Sequence, residues 1–497
     1  MTPFLLFSSL IAFAAVPYFP WKKEHERTLR FFGIGAGVLT LVFTAVLAVP
    51  VLLSQQNLWD GFWFLNEFSA FLALLIAFIY CSATLVSYQY IGHEYHENLI
   101  SFSQVRLYYA LLPLFILAML AAVFSDNIGM LWVTLEGTTL ATTLLVAFYK
   151  KEGALEAAWK YILLCSTGIS LGLLGILMIN YAAMNGGSLS PEDALSLTAL
   201  KANAHTISPD IMRWAFVFIF VGFGSKVGFF PLHSWLPDAH SRTPSPISAL
   251  LSGVLLNVAL FAILQIKGLT DLVLQQSAWT THFFLVFGLL SVLFASFTFL
   301  TQKHYKRLLA YSSIKHMGFI AFAIGLGPLG VIPAVLHLAG HALTKSALFF
   351  AAGNILSKFK TTKSDHIQEV IAVLPYTGTL FILSLLFLLA APPSLLFLSE
   401  IMVLQVSFSA HLFLTFLVVF VLILVFVGMM RHVVRFVLRK PFYTESQPPI
   451  SSGEKFDVTH IVIVVHLVLG VLLGASFFTD VGQGVLHAIA QNFIFLP

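Results

Sequence analysis

Fourteen apolar stretches recur along this 497-residue chain, each long enough to cross about 30 Å of hydrocarbon. They are centred near residues 11, 42, 78, 116, 138, 171, 222, 256, 292, 317, 344, 390, 424 and 468. Hydrocarbon offers no partner to a backbone amide, so segments of this length satisfy their own hydrogen bonds as helices. The expected fold is therefore an all-α polytopic membrane protein with about 14 transmembrane helices. Composition excludes the main competitor: at 59% hydrophobic and only 10% charged residues, the chain could not solvate the surface of a soluble domain this large.

The charges orient the spans. Of the 26 Lys and Arg, 18 fall on one side, including Lys22, Lys23, Arg27, Arg30, Lys150, Lys151, Lys303, Lys306, Arg307, Lys358, Lys360 and Lys363. Only Lys201, Arg213 and Lys267 fall on the other, so the positive-inside rule puts both termini on the outer side. The first span, TPFLLFSSLIAFAAVPYF, lacks the basic leader of a signal peptide and is followed by its positive charges, as an uncleaved span is. Cys81 and Cys165 both lie in apolar spans, which argues against a disulfide framework or a metal cluster. No P-loop, dinucleotide-binding pattern, paired-cysteine motif or basic nucleic-acid stripe is present, so any redox cofactor belongs to a partner.

Ionisable residues divide the chain. Spans 1 to 3 are nearly free of them in their interiors; they begin in span 5 and stop after span 12. Two spans are disturbed by proline, span 7 at GFFPLHSWLP and span 12 at AAPPSLLFLSE. Being five apart, they run in opposite directions, the arrangement of an inverted repeat with broken helices. The expected organisation is a scaffold over 1–105, a five-helix unit over 106–270, a second and inverted unit over 280–440, and a closing loop, span and tail over 441–497. The last stretch, TDVGQGVLHAIAQNFIFLP, is too short and polar for a span and reads as an interfacial tail.

A charge at bilayer depth costs roughly 2.5–3.5 kcal/mol, so each one needs a partner or a task. Glu136, in NIGMLWVTLEGTTLATTLLVAF, is either held neutral by burial among its threonines or half of an ion pair. Lys226, in FVGFGSKVGFFPLHSWLPDAH, is the natural other half, with a purely structural lysine as the plainer reading. At about 7 Å and an effective dielectric of about 20 the two interact by about 2.4 kcal/mol. That is enough to move a proton as the gap opens or closes. Pro231, five residues on, removes an amide donor and leaves a carbonyl for water or a polar side chain, so charge and fracture together describe a hydrated proton site with a gate.

His337, His341 and Lys345, in VLHLAGHALTKSALFF, recur every fourth residue and stack on one helix face. A lone buried histidine is usually structural, but three titratable groups in register suggest proton stations alternating with water. Zinc at the two histidines is the competing reading, and no Cys or carboxylate stands nearby in sequence to complete it. Glu400 follows the second break as an exit station or as a cap. Lys315 and His316, in AYSSIKHMGF, are secondary candidates, as buried polar links or groups near the cytoplasmic end of span 10. His233 and Asp238 are secondary candidates beside the first break.

These residues carry a resemblance. GFGSKVGFFPLHSWLPDAHSRTPSPISALLSG, RLLAYSSIKHMGF and HLAGHALTKSALFFAAG resemble the antiporter-like membrane subunits of respiratory complex I and of Mrp-type cation/proton antiporters, over about residues 60 to 440. Within that family, LEGTTLATTLLVAFYKKEGALEAAWKYILL, LLSGVLLNVALFAI and APPSLLFLSE look most like the F-type subunit of hydrogenase 4 and formate hydrogenlyase complexes. The resemblance implies 14 spans with two inverted five-helix units, Glu136 and Lys226 as the buried ion pair, His337, His341 and Lys345 as the central hydrophilic axis, and Glu400 as its distal charge. It further implies a prokaryotic inner membrane, other membrane subunits and peripheral redox subunits as partners, iron–sulfur clusters and in the hydrogenase branch nickel–iron in those partners, and no cofactor, redox catalysis or nucleic-acid binding by this chain itself. Relatives often carry His or Lys in the span after the first break, where Ser252 and Asn257 stand here, so the link from Lys226 to the Lys345 row would rely on water or polar side chains.

The function expected is proton translocation coupled to redox chemistry in partner subunits. A cation/proton antiporter subunit or the proton-conducting partner of an inorganic-carbon uptake protein is the first rival, and a subunit that no longer pumps is the second.

Overall fold

The computed structural model describes residues 3–54, 56–59, 63–186, 189–367, 369–434 and 453–492. Eleven of its helices are long and apolar enough to cross a membrane, and three shorter apolar helices accompany them. In chain order the spans are Pro3–Ala15, Glu26–Ser54, Glu67–His96, Phe102–Phe124, Ile128–Val146 and Glu152–Asn185, then Pro209–Val227 followed by the short helix Trp235–Arg242. Span 8 is Ser245–Leu274, and spans 9 to 11 are Ala278–Phe299, Tyr305–Gly325 and Val331–Phe359. Span 12 is split into Pro375–Leu388 and Leu395–Ala410, and Leu412–Val433 and Val458–Ser476 are spans 13 and 14. Every expected span centre falls in one of these helices, except residue 390, which falls in the split of span 12.

Helix starts follow local chemistry. Ser101 and Gln104 form a reciprocal capping box at span 4, Asn127 accepts from Met130 N at span 5, and Ser394 accepts from Phe397 N at the second half of span 12. At the first break Gly228 adopts φ +83°, which a side chain resists, and ends the helix one turn after Gly224. The Phe230–Pro231 and Pro392–Pro393 peptides are cis. The carbonyl of Ser225, freed at the break, is satisfied by the Trp235 indole at 2.8 Å. A polar side chain thus meets a carbonyl that the helix end at Gly228 leaves free.

Spans 8 and 11 lie at the centre: their apolar cores are entirely buried, whereas about a third of that of span 13 is. Close approach of neighbours depends on glycine at two places. A Cβ on Gly222 of span 7 would lie 2.5 Å from Gly172 N and 2.7 Å from Gly168 O of span 6, and one on Gly288 of span 9 would lie 2.7 Å from Gly318 O of span 10. The first contact fixes the helix that carries Lys226. Inside span 8, Leu251–Leu255 winds as a π-helix, and Ser252 uses that bulge to hydrogen-bond Ser313 of span 10 at 2.7 Å. Past span 14, the helix Asp480–Gln491 buries Leu486 and Ile489, and Asn492 Nδ2 donates to Glu67 Oε2 at 3.1 Å. Residues 435–440 at the end of the expected second unit, and 441–452 and 493–497 of the expected closing region, lie outside the described residues.

Candidate functional site

Around the first break, Lys226 is fully buried and its ammonium donates to Leu135 O at 2.6 Å, Thr138 Oγ1 at 2.5 Å and Thr139 Oγ1 at 2.6 Å. Three N–H donors meet three acceptors, all uncharged. Glu136 turns the other way and accepts from Ser166 Oγ of span 6 at 2.6 Å, while its Oε2 is buried without a partner. The expected ion pair is therefore not closed. The threonines that sequence reading assigned to Glu136 have gone to the lysine, because Leu135, Thr138 and Thr139 (i, i+3, i+4) share the helix face toward span 7 and Glu136 lies off it.

Around the second break the groups are linked. His316 Nδ1 and His337 Nε2 share a hydrogen bond of 2.8 Å, and His337 Nδ1 is 2.9 Å from Ser399 Oγ. Next to Ser399, Glu400 Oε1 accepts from Lys315 Nζ at 2.6 Å. The His341 ring lies 5.3 Å from that of His316, and neither of its nitrogens has a protein partner. One turn further along span 11, Lys345 donates to Ser312 Oγ at 2.8 Å and to Leu309 O, with its ammonium 5.1 Å from the centre of the Phe349 ring. Lys345, His341, His316, His337 and the Lys315–Glu400 pair thus form one buried row drawn from spans 10, 11 and 12. Imidazoles in series can hand a proton on by exchanging donor and acceptor roles, and each hydroxyl beside them can do the same.

Lys315 and His316 are central to this row, not peripheral. Sequence reading left them open because their partners come from spans 11 and 12, and no local pattern announces that meeting. Asp238 is elsewhere: it pairs with Arg307 at 2.9 Å and Lys160 at 3.2 Å on the basic face. His233 packs between Phe230 and Phe294. Lys306, counted among the loop cations, is fully buried at the start of span 10. In span 8, where a His or Lys is expected of relatives, Ser252 hydrogen-bonds Ser313, beside Ser312, and Asn257 Oδ1 is buried and unpaired.

His316, His337 and Glu400 each bring a donor atom within 4.8 Å of the others. The ammonium of Lys315 already occupies the carboxylate, and the imidazoles bind each other and Ser399. A cation placed there would face that ammonium, so the donor set suits proton transfer better than a metal.

A polytopic helix bundle with two broken spans and a line of ionisable groups buried at its centre defines a class: membrane proteins that move protons or ions through their interior. The family is also shown. Residues 125–427 match the model of the NADH:quinone oxidoreductase/Mrp antiporter membrane family, and the chain belongs to it. It is 39% identical over 364 residues to the hydrogenase-4 component F homolog of Methylacidiphilum infernorum, covering 72% of this chain and 75% of that one. It is 30% identical over 359 residues to hydrogenase-4 component B of Escherichia coli, but covers only 51% of that longer protein. Among solved structures, a chain of the membrane-bound sulfane sulfur reductase, an archaeal respiratory membrane complex, matches over 98% of this chain and 100% of its own, with TM-score 0.81 at 23% identity. A chain of the Mrp complex from Dietzia sp. matches over 98% and 97% with TM-score 0.79 at 17% identity, so both share the fold.

Proposed function

We propose that this chain is the proton-translocating membrane subunit of a hydrogenase-4-like or complex I-like oxidoreductase. The observation that carries the reading is the buried row from Lys345 past His341, His316 and His337 to the Lys315–Glu400 pair. Such charges are costly in a membrane and are retained where protons or ions pass. Redox chemistry resides in partner subunits, whose iron–sulfur clusters and, in the hydrogenase branch, nickel–iron centre lie outside this chain. The inverted units over 106–270 and 280–440 are the moving framework, each with one broken span. The membrane is the prokaryotic inner membrane, and the face rich in Lys and Arg is cytoplasmic.

In this mechanism a redox-driven change in a partner brings Lys226 from its threonine cage to Glu136. Pairing cancels much of the field that Lys226 exerts on the row, and the proton affinity of Lys345 and the histidines rises. Separation restores the field and drives the proton along the row toward Glu400, where breaking the Lys315 pair frees the carboxylate to accept it. Lys226→Ala should abolish proton uptake into vesicles while leaving the complex assembled on native gels. Unchanged uptake in that variant would sink the proposal. The likeness to an Mrp complex chain keeps a second reading, a cation/proton antiporter subunit, which predicts ion-dependent proton movement with no redox substrate supplied.

A further inference from the structure

The row described above ends at Lys345 on one side, and a proton must reach Lys345 from water. We infer that the aqueous port on the basic face is a cavity of about 700 Å³ floored by Glu94 and Lys306, and that His240 carries the proton from its floor to Lys345. This rests on the proton-translocating function proposed above.

Three observations converge. The cavity is lined by Glu94, Tyr149, Thr243, His304, Lys306 and Arg307 among others, so it opens among the groups of the Lys- and Arg-rich loops and reaches inward to two buried charges. At the floor, Tyr149 donates to Glu94 Oε1 at 2.6 Å and its hydroxyl lies 3.0 Å from that of Tyr90, while Glu94 Oε2 has no hydrogen-bond partner. The fully buried Lys306 ammonium has three donors and uses one on Thr243 O at 3.0 Å. Glu94 lines the cavity, so the carboxylate that anchors the tyrosines is also within reach of water entering from the basic face.

Beyond the floor stands His240, fully buried, whose ring nitrogens make no hydrogen bond of ordinary geometry, the Ser248 backbone being near enough only to act weakly on the ring. It stacks on Phe349, the same ring that faces the Lys345 ammonium. The charges of Lys306 and Lys345 both act on it, and it in turn acts on His341. A core histidine is usually held by at least one well-formed hydrogen bond; a buried imidazole without one is a site for bridging water and for proton exchange. The steps balance as simple transfers. Hydronium in the cavity gives its proton to the Glu94 carboxylate, Glu94 passes it through water to the His240 imidazole, and the imidazolium gives it to the neutral Lys345 amine. Lys306 holds a fixed positive charge between the two, which returns Glu94 to its ionised form. In this scheme Glu94 and His240 carry the proton and Lys306 is a positioning residue.

The test uses the intact complex in inverted membrane vesicles, with an internal pH-sensitive dye as the probe and Lys345→Ala as the reference. Glu94→Gln and His240→Phe should each slow proton movement at least tenfold, Glu94→Asp should keep a third or more of it, and Lys345→Ala should abolish it. Near-normal movement in the Glu94 and His240 variants with Lys345→Ala dead would overturn the port and leave the proposed function standing. Normal movement in all three would remove the function and the port together. Against misfolding, Ser241→Cys in a Cys81→Ala, Cys165→Ala background changes little in shape and puts the thiol on the half-buried wall of the cavity. A membrane-impermeant thiol reagent applied to the face bearing Lys151 and Lys360 should label it and block proton movement. Labelling from the opposite face, or none, would overturn the port.

Discussion

The two proline breaks present the same kinds of side chain in opposite states. At the first, a lysine and a glutamate from neighbouring spans are apart, the lysine satisfied by two hydroxyls and a carbonyl and the glutamate held at one oxygen by a hydroxyl. At the second, Lys315 and Glu400 are in direct contact at 2.6 Å, and the adjoining histidines are bonded in series. The open pair has alternative partners for both members; the closed pair has little else to turn to. A site with alternatives can switch at small cost, whereas a closed buried pair is held by the penalty of leaving either charge alone. The first break therefore has the properties of a switch and the second those of a store for the proton.

The largest effect should come from breaking the closed pair. Glu400→Gln leaves Lys315 buried without its counter-charge and should cost about 3–5 kcal/mol, read as a large fall in the thermal midpoint of the purified complex. Replacing both at once, Lys315→Met with Glu400→Leu, should recover most of that stability while proton movement stays abolished. If the double variant is as unstable as the single one, the pair is not what holds the second break closed.

A smaller but more diagnostic effect is expected at the open pair. Thr138→Val with Thr139→Val removes two of the three acceptors of Lys226, worth about 1.5–3 kcal/mol each for a charged donor. The ammonium should then turn to Glu136, and structure determination of the variant should find the pair in contact. Retention of the open arrangement would mean that the helices, not the threonines, keep the two apart.

Much of this contrast was legible in the sequence, and the limits have a physical cause. Span positions, both breaks and the His337–His341–Lys345 row follow from hydropathy, proline chemistry and a four-residue spacing, all of which are local. What sequence could not supply was which charge meets which. Lys315 lies ten residues into span 10 and finds Glu400, 85 positions away, through packing of three helices. The Glu136–Lys226 pairing was expected from charge alone, and competing threonines on the same helix decided otherwise. Lys306 looked like one more loop cation in QKHYKRLL, yet it is buried, and Glu94 and His240 were passed over because each stands at the end of an apolar run beside polar neighbours. The signal for His240 was present in WLPDAH, past the break, but nothing local says that its ring shares Phe349 with Lys345.

Ser166→Ala probes the other member of the open pair. It removes the one hydrogen bond that the Glu136 carboxylate makes among the described residues and should change stability by about 1 kcal/mol. Its larger consequence is on the switch: a carboxylate with no hydroxyl to hold it competes better for Lys226, so proton movement should slow by up to about tenfold, the equivalent of about 1.4 kcal/mol. Unaltered rates would place Ser166 outside the switch.

The smallest effect concerns how the two broken spans are tied down on the basic face. Asp238 does this for the first, bonded to Arg307 and Lys160. Glu454 does it for the second: it accepts from Tyr376 N at 2.7 Å and Thr377 N at 3.1 Å at the start of span 12, and from His460 of span 14 at 3.0 Å. Burial opposes ionisation of Glu454, but the bonds from His460, Thr377 and the two amides outweigh it and hold its pKa below the ordinary value. A carboxylate with a lowered folded-state pKa contributes stability above its unfolded value of about 4.3, and that contribution is lost as pH falls through the folded value. Glu454→Gln should therefore lower the thermal midpoint slightly at neutral pH, by about 1 kcal/mol or less in stability, and the gap from the unaltered protein should close as the pH drops below the ordinary carboxylate range. A gap that stays constant with pH would assign the loss to shape and not to charge, leaving the two clamps unlike in kind as well as in place.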